Sequence, residues 1–362
     1  MSFSHVRDQQ VPIHLLQNIL RQNRIPNGLL FWGPEGVGKA FTALQLAKAL
    51  NCGHGADSCD ACLSCRKVIS GNHPDVKSIQ PSGKARNIGV ETVEFMNELS
   101  SYKPFEGAWR LFMIHDVDRM RIEAQNHFLK TLEEPPSNTI FVLLTAFPQR
   151  LLPTIRSRCQ QLRFGSLRPE TVKQILLKER DLPGAVAEAV AAVAQGQVSR
   201  AFALVDTEKR EVVLDLAQRL GLKEDPLALS EEFVSHLKAQ SDAIRAALQE
   251  ELDKSAPEDQ SRDEKEGQKQ EQLAYVEGMI RRDIMEYLYL FTSWYRDELV
   301  FQVTGSDAGV FNRDHSPRLK PCTVLLQSEK LRAIERAWVY IERNLSMDRV
   351  FRDLFFTLAQ AG

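Results

Sequence analysis

A chain of 362 residues with 43% apolar and 26% charged side chains has the make-up of an ordinary globular protein. At about 100–200 residues per domain it holds two to three domains, which excludes a wholly disordered chain, a collagen and a disulfide mini-protein. The net charge of −2, from 46 basic and 48 acidic residues, gives no global attraction to DNA or anionic lipid.

The first residues, Met1 to Leu20, lack a basic stretch followed by an apolar one. No apolar run approaches the ~18–20 residues of a membrane helix. The sequence therefore predicts a cytoplasmic protein with no membrane partner. Pro12 to Asn23 has helical spacing, with Leu15, Leu16, Ile19 and Leu20 near one face. Gly28 to Trp32 is a short apolar strand that ends in a glycine-rich turn, and a helix with Phe41, Leu44, Leu46 and Leu50 follows. Asp75 to Ile79 predicts a strand and Val90 to Leu99 a helix. Arg110 to Ile114 and Ile140 to Leu144 read as fully buried strands of a parallel sheet. Between them a helix runs from about Ile122 to Glu134, stopped by Pro135-Pro136. Gln161 to Phe164 is the last strand signal.

Strands alternating with helices predict an α/β domain. After Leu167 only helices are expected: Pro169 to Glu179, Gly184 to Ala194, Val198 to Val205, then longer ones including Ile280 to Leu299 and Lys330 to Arg343. Of the 23 residues from Glu250 to Gln272, 13 are charged, so that stretch reads as a solvated insertion or helix extension rather than a core element.

Gly33-Pro34-Glu35-Gly36-Val37-Gly38-Lys39-Ala40 matches G-x-x-x-x-G-K up to its last position. Glycines let backbone N–H groups curl around phosphates, and Lys39 would reach the β/γ-phosphates. The eighth position needs a hydroxyl for Mg²⁺, and Ala40 has none. Thr42 lies roughly 200° around the helix at 3.6 residues per turn and is no substitute. After the strand Leu111 to Ile114, His115 stands where a metal-holding Asp belongs, and Asp116 where a water-positioning Glu belongs. Two departures that bear on one ion predict lost hydrolysis. A metal held by Asp116 or Asp118 in a shifted geometry is the alternative, and nucleotide binding without hydrolysis stays open.

Six cysteines occur, and Cys52, Cys59, Cys62 and Cys65 form C-x6-C-x2-C-x2-C. Four thiolates at this spacing suit one tetrahedral Zn²⁺, closed to water and hence structural. Buried thiols or redox pairs are the alternative. Cys159 and Cys322 read as small packed side chains. Arg156, Arg158 and Arg163 cluster after the strand ending at Thr145, which composition alone reads as surface charge.

These pieces together resemble the AAA+ ATPase family and, within it, the delta-prime type of subunit of the bacterial DNA polymerase III clamp loader. The residues that carry the resemblance are Gly33 to Lys39, the four-cysteine module, the run from Asn126 through Leu129-Lys130-Thr131-Leu132-Glu133-Glu134-Pro135-Pro136, and Ser157-Arg158-Cys159. The first cysteine gap is shorter than in the family, which leaves His54 as an alternative fourth ligand. The resemblance implies an α/β P-loop (AAA+) domain over residues 1–166 with the metal module at 52–65, a small helical lid at 167–207 and an all-α collar at 208–362. It implies a degenerate nucleotide site at Gly33, Gly36, Gly38 and Lys39, with Thr145 in the sensor-1 and Arg200 in the sensor-2 position. Arg158 would be an arginine finger, reaching the ATP of a neighbouring subunit in a hetero-pentameric ring that loads a sliding clamp onto primed DNA. The alternatives are an ATP-hydrolysing subunit of the gamma/tau type and a zinc-dependent DNA-binding protein with a vestigial P-loop.

Overall fold

The computed structural model describes residues 2–54, 58–81, 87–134, 136–255, 262–320 and 323–360. Cys322, Pro135 and residues 256–261 of the charged stretch lie outside the described residues.

Helix α1 (Gln10–Arg21) precedes strand β1 (Gly28–Trp32), which feeds α2 (Lys39–Asn51). A short helix α3 (Leu63–Ile69) leads to β2 (Val76–Ile79), α4 (Val90–Ser101) and β3 (Arg110–Ile114). Then come α5 (Ile122–Glu133), β4 (Thr139–Thr145), α6 (Pro153–Arg158) and β5 (Gln160–Arg163). Among the described residues these strands form one five-stranded sheet in the order β2-β3-β4-β1-β5, with every neighbouring pair parallel. The sheet and its glycine-rich turn form the α/β domain that the sequence predicts, and among the described residues every element after β5 is a helix.

Period-2 alternation divides the strands between two cores. Leu30, Phe112, Ile114, Phe141 and Leu143 face one side, where Met96 of α4, Phe128 of α5 and Ile155 of α6 cover them. Phe112 stacks on Phe141 at 5.3 Å, and Phe128 meets Phe141 edge-on at 5.2 Å. The other face packs on α2, where Ala43, Leu46, Ala47 and Leu50 are buried. With both faces covered, β1, β3 and β4 are buried almost throughout, which is why they read as continuous apolar runs.

Because all strands point one way, the turns after β1, β2, β3 and β4 gather at one edge, where ligands of open α/β sheets bind. The residues that precede the strands gather at the other. A five-residue strand separates the two edges by about 16 Å.

The remaining helices are α7 (Pro169–Glu179), α8 (Gly184–Val193), α9 (Val198–Asp206), α10 (Lys209–Gly221), α11 (Pro226–Ser255), α12 (Arg262–Thr304), α13 (Val324–Glu342) and α14 (Met347–Leu358). By compactness the chain divides into two units. One comprises Met1–Val172 with Gln195–Ser199, and the other Lys173–Ala194 with Arg200–Gly362. In the helical unit, Phe233 of α11 sits among Tyr287 and Phe291 of α12 and Phe351 and Phe355 of α14, with ring centroids 5.0–5.8 Å away. Helix α13 starts at Val324, a turn and a half before the periodic stretch read from Lys330, because Thr323 caps it by accepting from the Leu326 N–H. Among the described residues no helix is long and apolar enough to cross a membrane.

Candidate functional site

At the carboxyl edge, three glycines set the path of the turn. Gly33, Gly36 and Gly38 have φ of 144°, 70° and 93°, values that a side chain disfavours. Gly38 then starts α2. The Gly33 N–H donates to the Thr145 carbonyl at 3.2 Å, which ties the loop to the end of β4. The Lys39 ammonium folds back and donates to the carbonyls of Gly33 and Pro34 at 2.7 and 2.6 Å. Burial holds Lys39 below the usual lysine value, against the pull of Glu35, Asp116 and Asp118.

The loop is also closed from the side. The Val198 N–H donates to the Gly36 carbonyl at 2.8 Å. A Cβ at Gly36 would stand 2.1 Å from the Ser199 hydroxyl oxygen. Nothing in the sequence pattern marks Ser199, since its place depends on the chain returning to the sheet more than 150 residues after the loop.

The groups beside the loop are engaged with one another. Thr145 is buried, donates to Asp118 at 2.5 Å and accepts from the Phe147 N–H at 2.9 Å. Asp118 also lies 3.6 Å from Arg150. His115 is half-buried, its Nε2 is 3.1 Å from the Ser78 hydroxyl, and burial lowers its pKa. Ala40 stands in the first turn of α2, and the Thr42 hydroxyl donates to the Gly38 carbonyl at 2.8 Å. Arg200 belongs to the helical unit, where its guanidinium lies 4.2 Å from the Tyr289 ring centre and 3.9 Å from Glu286.

The cysteine module lies between α2 and β2. The four sulfurs of Cys52, Cys59, Cys62 and Cys65 all lie within 4.8 Å of one another. Tetrahedral bonds of ~2.3 Å put thiolates about 3.8 Å apart, so the set can hold one metal ion. The Cys62 N–H points at the Cys59 sulfur (3.3 Å) and the Cys65 N–H at the Cys62 sulfur (3.4 Å), contacts that favour thiolates. Cys62 thereby caps α3, a helix that the apolar spacing does not predict. Backbone N–H groups of Ala61 and Cys62 bring the Cys59 thiol down to about 6, whereas burial takes Cys65 up to about 12. Cys52 is within the cluster, and His54 stands 3.9 Å from its sulfur.

Two ion pairs anchor the module. Lys48 of α2 holds Asp60 at 2.5 Å, and Lys67 of α3 holds Glu106 at 2.6 Å. Beneath them Asp75 is fully buried. It accepts from the N–H groups of Phe105, Glu106 and Gly107 at 2.7–2.9 Å and from Arg110 at 3.3 Å. Burial alone would raise its pKa, but these donors outweigh it and the net shift is downward.

At the opposite edge, α6 ends in Arg158, and β5 begins at Gln160, beside Leu29 of β1. Here the backbone is pinned: a Cβ at Gly28 would stand 2.8 Å from the Cys159 sulfur and 3.7 Å from the Arg158 carbonyl oxygen. The Arg158 side chain is 38% exposed and pairs with Glu133 at 2.6 Å. Arg163, by contrast, lies over the Trp32 ring at 5.3 Å. The structure thus brings together Gly33, Gly36, Gly38, Lys39 and Thr145, gathers the four cysteines, and sets Arg158 a strand's length from the loop.

Residues 8–168 match the family model described as DNA polymerase III, delta subunit. The chain is 40% identical over 166 residues to the DNA polymerase III subunit delta' of Bacillus subtilis, a match covering 46% of this chain and 50% of that one. It is 32% identical over 247 residues to the tau/gamma subunit of Haemophilus influenzae, covering 65% of this chain and 36% of that one. The resemblance to DNA polymerase III subunits holds. The chain spans half or less of the length of these curated relatives. A solved gamma subunit-related protein of Thermotoga maritima aligns over 95% of this chain and 98% of its own, at 17% identity and a TM-score of 0.45.

Proposed function

We propose that this chain is a non-hydrolysing, delta-prime-type subunit of a bacterial replicative clamp loader that lends Arg158 to the ATP site of a neighbouring subunit. The observation that carries this reading is the position of Arg158. It sits on a pinned backbone at the edge away from the chain's own phosphate loop, about 16 Å off by strand length, so its guanidinium serves a second molecule. There, beside the γ-phosphate of bound ATP, it would stabilise developing charge with the planar fork that lysine lacks.

The carboxyl edge supports the other half of the reading. No hydroxyl is present at position 40, His115 replaces a carboxylate, and Asp118 is engaged by Thr145 and Arg150. Lys39 donates to the carbonyls of its own loop and Ser199 packs closely on Gly36, so this chain's own groups shape the turn. Gly33, Gly36, Gly38, Lys39, Thr145 and Arg200 are the nucleotide-site positions in this reading. The cysteine set would hold structural Zn²⁺, whose chemistry here is to fold the 52–65 module. The three-part division at 166 and 207, the five-membered ring, the sliding clamp, primed DNA and a cytoplasmic setting belong to the same proposal.

The test is single-turnover ATP hydrolysis at the neighbouring site of a reconstituted loader carrying Arg158→Ala. The expected loss is roughly 10³-fold or more, and an unchanged rate overturns the reading. Metal analysis of protein purified under reducing conditions should give one zinc, and less than about half an equivalent overturns the metal assignment. A second reading, a hydrolysing subunit of the tau/gamma type, is favoured by the longer alignment to that relative. Brisk Mg²⁺-ATP hydrolysis by the isolated chain would establish it in place of the first.

A further inference from the structure

Arg158 has a partner within its own chain that its proposed role does not require. Its Nη2 lies 2.6 Å from Glu133 Oε1, and its Nη1 donates to the Thr154 carbonyl at 3.3 Å. Glu133 is the last residue of α5, and Glu134 follows it. A carboxylate at a helix C-terminus faces the negative end of the helix dipole, so this corner attracts a cation. Both side chains are substantially exposed, at 38% and 48%. The pair is therefore weak and exchangeable, worth at most about fivefold in an equilibrium. The backbone beneath is held where β5 pairs with β1, Gln160 beside Leu29, and lies so close to Gly28 that a Cβ there would meet the Cys159 sulfur at 2.8 Å, which leaves the exposed side chain as the part able to swing.

We propose that Glu133 is a positioning residue that parks the Arg158 guanidinium on its own subunit until the γ-phosphate of a neighbour's ATP competes it away. This rests on the finger role proposed above and adds its regulation. One carboxylate oxygen holds one edge of the guanidinium, whereas a terminal phosphate offers three oxygens and greater charge. The exchange goes forward only when the neighbour brings its nucleotide close. Parking lowers the fraction of competent finger in the open assembly and costs nothing once the interface has closed.

The experiment measures single-turnover ATP hydrolysis in the reconstituted loader, with and without primed DNA, for the intact chain, Glu133→Gln, Arg158→Ala and the double variant. Glu133→Gln should raise the DNA-free rate two- to fivefold and leave the DNA-stimulated rate within twofold. Glu133→Asp should restore most of the restraint. In the Arg158→Ala background Glu133→Gln should do nothing, because it acts only through the arginine. A slow Arg158→Ala together with an unchanged or slower DNA-free rate in Glu133→Gln overturns the parking role and leaves the finger intact. A Glu133→Gln effect that persists without Arg158 overturns it as well. A normal rate in Arg158→Ala removes the finger and the parking role together.

Discussion

The two edges of the sheet treat their cations in opposite ways. At the carboxyl edge Lys39 is half-buried and held by two carbonyls of its own loop, while Asp118 is bound by both Thr145 and Arg150. At the amino edge Arg158 is held by the exposed, exchangeable carboxylate of Glu133 and by a longer bond to the Thr154 carbonyl. The first edge is satisfied from within. The second holds its charge loosely enough for another molecule to take it. Contacts at one edge therefore need not constrain a residue at the other, because the two lie a strand's length apart and are held by different partners.

That contrast can be broken from either side. The largest effect should come from Arg158→Lys, which keeps the charge and loses the fork. We expect a roughly 10²-fold loss of single-turnover hydrolysis at the neighbouring site, with unchanged thermal stability of the isolated chain. Next is Asp75→Asn, which removes the buried charge under the cysteine module and replaces one of its two acceptor oxygens with a donor, and should cost about 2–4 kcal/mol by chemical denaturation. The native pKa of Asp75 lies below its unfolded value, so its contribution is complete above the unfolded value of about 4 and is lost as pH falls through the native one. The gap between the intact chain and Asp75→Asn should therefore be flat above about pH 5 and close below about pH 4.

Cys65→Ser, at the buried end of the module, should lower the Tm by roughly 5–10 °C and abolish stoichiometric metal. The smallest effect is expected at the loop. Gly36→Ala must hold a φ of 70° and push Ser199 aside, which should cost about 1–2 kcal/mol. Ser199→Gly in the same chain should recover part of that, and its failure to do so would separate the loop from residues 195–199.

Much of the α/β architecture was legible because a sheet covered on both faces needs unbroken apolar strands. Leu111 to Ile114 and Ile140 to Leu144 could hardly be anything else. The phosphate loop and the cysteines were legible because their chemistry needs fixed spacing. Helix α3 was not, since its start is set by the Cys62 sulfur accepting the Cys65 N–H, a cap that no apolar period reveals. The beginning of α13 was missed because Val324 and Leu325 are exposed and break the apolar stripe. Ser199, Asp75 and the pairing of Glu133 with Arg158 depend on contacts between segments distant in sequence. A single chain without tertiary information carries no periodic trace of such contacts.

The separation of Arg158 from the Gly33 turn has a consequence for symmetry. A surface that gives at one end and receives at the other joins its like head to tail, never face to face about a twofold axis. A row built on such contacts has a direction.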